Sequence, residues 1–147
     1  MAWFKIGHND GHTTLDSRTR GLDRIKTILD NSRKTTKISC LDIGCAEGLI
    51  GDWLFDGEAD YYGIDANTQS IKTAKAMFSH KDYKFFSENV SDLGKMMLRN
   101  ELLPRYDVVI ASAILQKLDK PLVVLSLLTQ LCEKFLIIRI PEYFVEK

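Results

Sequence analysis

Apolar positions in this chain follow two periods that take turns along its length. Leu22, Ile25, Ile28 and Leu29 recur at helical spacing after the turn-rich "GHNDGHTT", which predicts a helix from roughly Leu15 to Asn31. "KISCLDI" is a compact apolar run suited to a strand buried on both faces. It leads through a glycine turn into "EGLIGDWLF", where Leu49, Ile50, Trp53 and Leu54 form a helical stripe. "YYGID" predicts the next strand, and Asn67 the N-cap of a helix carrying Ile71, Ala74 and Phe78.

The same alternation continues. "YKFFSENV" predicts a strand and "SDLGKMMLRNELL" a helix stopped at Pro104. "YDVVIAS" predicts the fourth strand, Pro121 opens a helix through about Cys132, and "KFLIIRI" predicts a fifth strand ended by Pro141. Parallel strands need crossover connections, so helices alternating with strands over this length predict an α/β fold: a doubly wound, mostly parallel sheet with helices on both faces.

Size and charge narrow the class. The 147 residues suit a single domain, and 45% hydrophobic with 27% charged residues is the composition of a folded globular chain. Twenty basic and twenty acidic residues cancel, so no bulk field draws the chain toward nucleic acid or an anionic membrane. Cys40, Cys45 and Cys132 form no C-x-x-C pair and are odd in number, which argues against a disulfide framework or a zinc knuckle and fits a reducing cytoplasm. The N-terminus lacks the sustained apolar run of a signal peptide. The apolar stretch from Pro121 to Ile140 is broken by Gln130, Glu133, Lys134 and Arg139, so no membrane span is expected.

Candidate chemistry concentrates in "LDIGCAEG". In doubly wound sheets ligands bind beyond the carboxyl ends of the strands, where the first strand turns into a helix. The spacing here is G-x-x-x-G, Gly44 to Gly48, rather than the G-x-G-x-x-G of a pyrophosphate cradle. Asp42 and Glu47 flank the turn; both repel phosphate and both suit a cationic ligand. N–H groups at the start of the following helix suit a carboxylate, so the pocket matches a zwitterionic amino acid bearing a sulfonium. Asp65 ends the second strand, where an acidic residue commonly accepts hydrogen bonds from ribose hydroxyls. Amino acid, sulfonium and nucleoside together describe S-adenosyl-L-methionine.

"LDIGCAEG", "YYGIDAN", "SENVSDL" and "YDVVIASAILQKLDKP" resemble, in order and spacing, the successive motifs of class I Rossmann-like S-adenosylmethionine-dependent methyltransferases. The resemblance covers about Lys37 to Pro141. It implies that Asp42, Gly44, Cys45, Ala46 and Gly48 surround the methionyl end, and that Asp65 and Ala66 hold the ribose. It further implies that Asn89, Val90 and Ser91 meet the adenine edge, and that Ala111 and Ser112 form the floor beneath the transferring methyl. Many relatives carry an acidic residue where Asn89 stands, and Asp92 is the alternative for that contact. After the fifth strand only "PEYFVEK" follows, so the resemblance implies a Rossmann-like sheet of about five strands lacking the usual C-terminal hairpin. The expected organisation is one domain: an N-terminal lid and helix over 1–36, the core over 37–141 and a tail over 142–147.

Other candidates are weaker. His8 and His12 lie among turn residues rather than on a helix, which favours a solvated or lid segment over a metal pair, with either histidine available as a base. Arg18 and Arg20 are placed to reach a ligand carboxylate, or to remain solvated at a helix start. Cys45 reads as a small packing residue and Tyr61 and Tyr62 as core. Lys72, Lys75, Lys81 and Lys84 are interspersed with Asp82 and Glu88, a solvated face rather than a nucleic-acid patch.

The expected activity is methyl transfer from S-adenosyl-L-methionine, with S-adenosyl-L-homocysteine (SAH) as product. The segment after the fourth strand resembles the branch that methylates small-molecule, lipid or glycan acceptors, and no general base is assigned there, since Gln116 and Lys117 stand where some relatives have histidines. A cofactor-binding but catalytically silent subunit is the main alternative, and an RNA methyltransferase a weaker one. The fifth strand is expected to be an open edge, which predicts a homodimer or a partner subunit there, through Tyr143, Phe144 and Val145.

Overall fold

A computed structural model describes residues 19, 21–32 and 37–140 of the chain. The predicted alternation is present. In chain order the elements are α1 (Asp23–Ser32), β1 (Ser39–Ile43), α2 (Leu49–Leu54), β2 (Asp60–Asp65), α3 (Thr68–Met77), β3 (Lys84–Ser87), α4 (Leu93–Leu98), β4 (Tyr106–Ser112), α5 (Pro121–Leu131) and β5 (Cys132–Arg139). Short 3-10 turns at Val90–Asp92 and Leu115–Lys117 follow β3 and β4.

The five strands form one sheet in the order β3-β2-β1-β4-β5, every neighbouring pair parallel. The chain leaves β1 toward β2 and β3 on one side and returns to β4 and β5 on the other, so the connections diverge at the carboxyl ends of β1 and β4. That divergence opens a crevice above the sheet.

Strand alternation divides the core into two layers. Cys40, Tyr61, Phe85, Val108 and Ile110 pack with Leu22, Ile25 and Leu29 of the N-terminal segment and with residues of α2 and α3. Leu41, Ile43, Ile64, Val109 and Ala111 face the other way, against Leu93 and Met96 of α4 and Val124, Leu128 and Leu131 of α5. Each large apolar side chain so buried contributes about 1.5–3 kcal/mol. The doubly wound α/β class therefore stands, with helices on both faces.

Several bounds differ from the sequence reading. The helix expected over "SDLGKMMLRNELL" is only α4, because Asn100 adopts a left-handed φ of 56° well before Pro104. β3 is shorter than "YKFFSENV", since Asn89 leaves the strand and its carboxamide accepts the Ser91 N–H at 2.9 Å. β5 starts at Cys132, directly after α5. The helix expected from Leu15 to Asn31 is not continuous: Gly21 turns with a left-handed φ of 80° and Leu22 is non-helical, so α1 begins only at Asp23. The proposed lid and tail, His8, His12, Arg18, Arg20, Pro141, Tyr143, Phe144 and Val145 lie outside the described residues. Among the described residues β5 pairs only with β4, and no helix is long and apolar enough to cross a membrane.

Candidate functional site

The glycine turn between β1 and α2 is held almost entirely by its own amides. Gly44 and Cys45 donate to the Ile64 carbonyl at 2.7 and 3.0 Å, and Gly48 donates to Cys45 at 2.9 Å. The Ala46 N–H donates to Asp65 Oδ2 at 2.9 Å, while the Asn67 N–H donates to Asp65 Oδ1 at 2.8 Å. Asp65 thus ties the glycine turn to the end of β2 with one bond per oxygen. A carboxylate has about four lone-pair positions, so each oxygen retains capacity for a ligand hydroxyl.

Gly44 and Gly48 are required by backbone and by crowding. Both are left-handed, at φ 68° and 80°. A Cβ on Gly44 would stand 3.0 Å from the Ile114 side chain, and one on Gly48 would stand 2.8 Å from the Phe85 ring. The turn is thereby gripped from the β4 side and from the β3 side.

Beside it lies a cleft of about 240 Å³. Gly44, Asp65, Ala66, Asn89, Val90 and Ser91 line it from the β1–β3 side. Ile114, Lys117, Leu118 and Asp119, from the segment between β4 and α5, close the opposite side. The walls combine apolar faces from Ala66, Val90, Ile114 and Leu118 with a polar rim.

The remaining sequence candidates are distributed differently. Asp42 does not line the cleft: it lies on the same face of β1 as Cys40, is 2% exposed, and accepts the Tyr61 hydroxyl at 2.6 Å. Cys45 packs in the core, where burial first, and then the Asp42 and Asp65 carboxylates, push its thiol well above the ordinary range. Ala111 is fully buried in the layer against α4 and α5, and Ser112, half-buried, ends β4 just below the crevice. Asn89 reaches the rim, but its side-chain oxygen is engaged as the cap of the 3-10 turn.

Sequence reasoning missed the second wall. Lys117 stood out only as a position where some relatives have histidines, and neither it nor Asp119 was assigned to the cofactor cleft, because no local pattern shows that they line the same cleft as Asp65. Two backbone outliers flank the crevice: Ala46 at φ 49° and Ala113 at φ 56°. Asp56 and Asn100, also left-handed, merely terminate helices, whereas an alanine in this region is strained, and such strain gathers at functional sites. Just beyond Ala113, both amide atoms of Gln116 are buried with no hydrogen-bond partner among the described residues.

Comparison with known proteins agrees with this geometry. The family described as "Methyltransferase domain" matches residues 41–134. A malonyl-[acyl-carrier protein] O-methyltransferase from Halalkalibacterium halodurans is 31% identical over 104 residues, covering 67% of this chain and 37% of its own length. The plantazolicin methyltransferase solved with SAH superposes with a TM-score of 0.65 at 21% identity, over 84% of this chain and 46% of that one. The magnesium protoporphyrin IX methyltransferase of Synechocystis PCC 6803, solved with S-adenosylmethionine, gives 0.65 at 17% identity, over 93% and 72%. The chain thus spans 37% of the length of the curated relative that it matches.

Proposed function

Since the chain belongs to the methyltransferase domain family, we propose that it binds S-adenosyl-L-methionine in the cleft beside the glycine turn and transfers the methyl group to a small-molecule, lipid or glycan acceptor, leaving SAH. The observation that carries this reading is Asp65: a carboxylate at the end of β2, held by Ala46 and Asn67 N–H groups, with lone pairs left for two ribose hydroxyls. The structures solved with SAH or S-adenosylmethionine on this fold support the cofactor, and the malonyl, plantazolicin and magnesium protoporphyrin enzymes support a small organic acceptor.

The residues present suit that cofactor. Ala66, Val90, Ile114 and Leu118 offer apolar surface to a purine. Gly44, Cys45, Ala46 and Gly48 set the turn near the methionyl end, with Asp42 acting from beneath through its bond to Tyr61. Asn89, Val90 and Ser91 form one rim for the base, and Ser112, half-buried at the end of β4, is the floor residue toward the acceptor, whereas Ala111 is fully buried in the core. Arg18 remains a candidate for the carboxylate.

The sulfonium supplies an already activated leaving group, so the acceptor's nucleophilic atom bonds the methyl carbon as the carbon–sulfur bond breaks, and the sulfur keeps the electron pair. What the chain must contribute is alignment and exclusion of water.

Calorimetric titration with SAH and with NAD tests the reading. SAH binding, no NAD binding, and a loss of about 2–3 kcal/mol in Asp65→Ala are expected. Asp65→Asn keeps the Oδ1 acceptor for Asn67 but sets an NH2 donor against the Ala46 N–H, so thermal unfolding of both variants checks that the turn still folds. Absence of SAH binding, or an affinity indifferent to both substitutions, overturns it. Turnover of S-adenosylmethionine on malonyl-acyl-carrier protein and on simple phenol, carboxylate and sugar acceptors then separates an enzyme from a silent binder.

A further inference from the structure

We infer that Asp119 selects the base of the cofactor, its carboxylate accepting a hydrogen bond from the exocyclic amine of adenine across the cleft from Asn89. The inference rests on the S-adenosylmethionine reading and adds a specificity-determining residue to it.

Few of the groups on the cleft rim can tell an amine from a carbonyl. With the ribose at Asp65, the base lies between the apolar faces of Ala66 and Val90 on one side and Ile114 and Leu118 on the other. The polar groups around that slot are Asn89, Ser91, Lys117 and Asp119. A serine hydroxyl donates or accepts and so tolerates either substituent. Lysine only donates, which favours a carbonyl. The Asn89 oxygen already accepts the Ser91 N–H at 2.9 Å, leaving its NH2 group as the freer end, again a donor. Only a carboxylate is an obligate acceptor. Of the two carboxylates lining the cleft, Asp65 holds Ala46 and Asn67, whereas Asp119 makes no hydrogen bond or ion pair with any described residue.

Among the described residues Asp119 also has no ordinary structural partner. An aspartate shortly before a helix-opening proline commonly caps the helix. Here the N-cap of α5 is Lys120, and no side chain makes a capping hydrogen bond there. Asp119 instead lines the cleft opposite Asn89, the position where the sequence alone sought an adenine contact. A purine with an oxygen at position 6 would set carbonyl against carboxylate, two acceptors without a proton between them.

The test compares SAH with S-inosylhomocysteine, which carries that oxygen, by calorimetric titration of the full chain. Wild type is expected to favour SAH by about ten-fold or more. In Asp119→Asn and Asp119→Ala the preference narrows to about two-fold, because an amide can turn its donor inward and alanine reads nothing. Asn89→Ala retains it. Asp119 is exposed, and unchanged thermal unfolding verifies that the variants fold. If SAH binds but the preference is absent, survives in both Asp119 variants, or vanishes in Asn89→Ala instead, the assignment is wrong while the cofactor reading stands. If SAH does not bind wild type, both fall.

Discussion

Tyr61 donates its hydroxyl to the Asp42 carboxylate at 2.6 Å, with both side chains sealed in the core layer beneath the glycine turn. Burial first, and then the Asp42 charge, push the Tyr61 hydroxyl well above its ordinary range, so it remains a donor throughout the working pH range. The acidic residue of "LDIG" is therefore part of the fold's internal wiring, joining β1 to β2 under the site rather than facing a ligand directly.

Tyr61→Phe keeps the ring that fills the space against Gly51, Gly63 and Phe85 and removes only the donor. Hydrogen bonds to buried charged groups contribute about 1.5–3 kcal/mol, and that loss of folding stability is expected in urea denaturation. The effect on SAH affinity should be smaller than that of Asp65→Ala, since Asp42 acts on the turn from below. An affinity loss with unchanged stability would instead place Asp42 in direct contact with ligand.

Gln116 presents the opposite balance. Its buried amide lacks partners among the described residues, and leaving such a group unsatisfied costs about 1–3 kcal/mol. Gln116→Met preserves length and bulk without the polar atoms, so the free protein should be as stable as wild type or more stable. Thermal unfolding measures this directly. A lowered midpoint would mean that the amide is already hydrogen-bonded in the folded chain.

Acid sensitivity should trace in part to the opposite end of the sheet. Burial raises the Asp107 carboxyl, but Lys134 at 2.8 Å and the Ser39 N–H at 3.0 Å outweigh it, and its net position is below the usual carboxylate range. A carboxyl depressed in the folded state adds stability that is present above its unfolded value of ~3.9 and is lost as pH falls through the folded value. Wild type should therefore exceed Asp107→Asn in stability at neutral pH, and the gap should close below about pH 4. Denaturation curves between neutrality and acid pH check it, and a gap independent of pH would refute the ionic account.

The local features were legible without a structure. The apolar periods marked the five strands and the helices between them among the described residues. The glycine spacing and Asp65 pointed to the candidate site, because periodicity, turn chemistry and strand ends are properties of neighbouring residues. The bounds that moved did so where one side chain overrode the pattern: Asn89 turned to cap Ser91, and Asn100 entered a left-handed conformation.

What only the tertiary structure decided depends on residues far apart in sequence. The alternation predicted a parallel doubly wound sheet but not the order β3-β2-β1-β4-β5, which alone puts the segment after β4 beside the end of β2. Asp42 and Asp65 both stand near strand ends beside the glycine turn, yet one is buried in the core and the other lines the cleft. Strand parity and the distant Tyr61 ring decide the first; the Ala46 and Asn67 amides decide the second. Lys117 and Asp119 carry no pattern of their own, and they join the site because parallel packing of β1 against β4 carries them there. The sequence by itself determined the elements and the chemistry of the turn, through local backbone preferences; the packing of the two sides of the sheet determined which charges face the cleft.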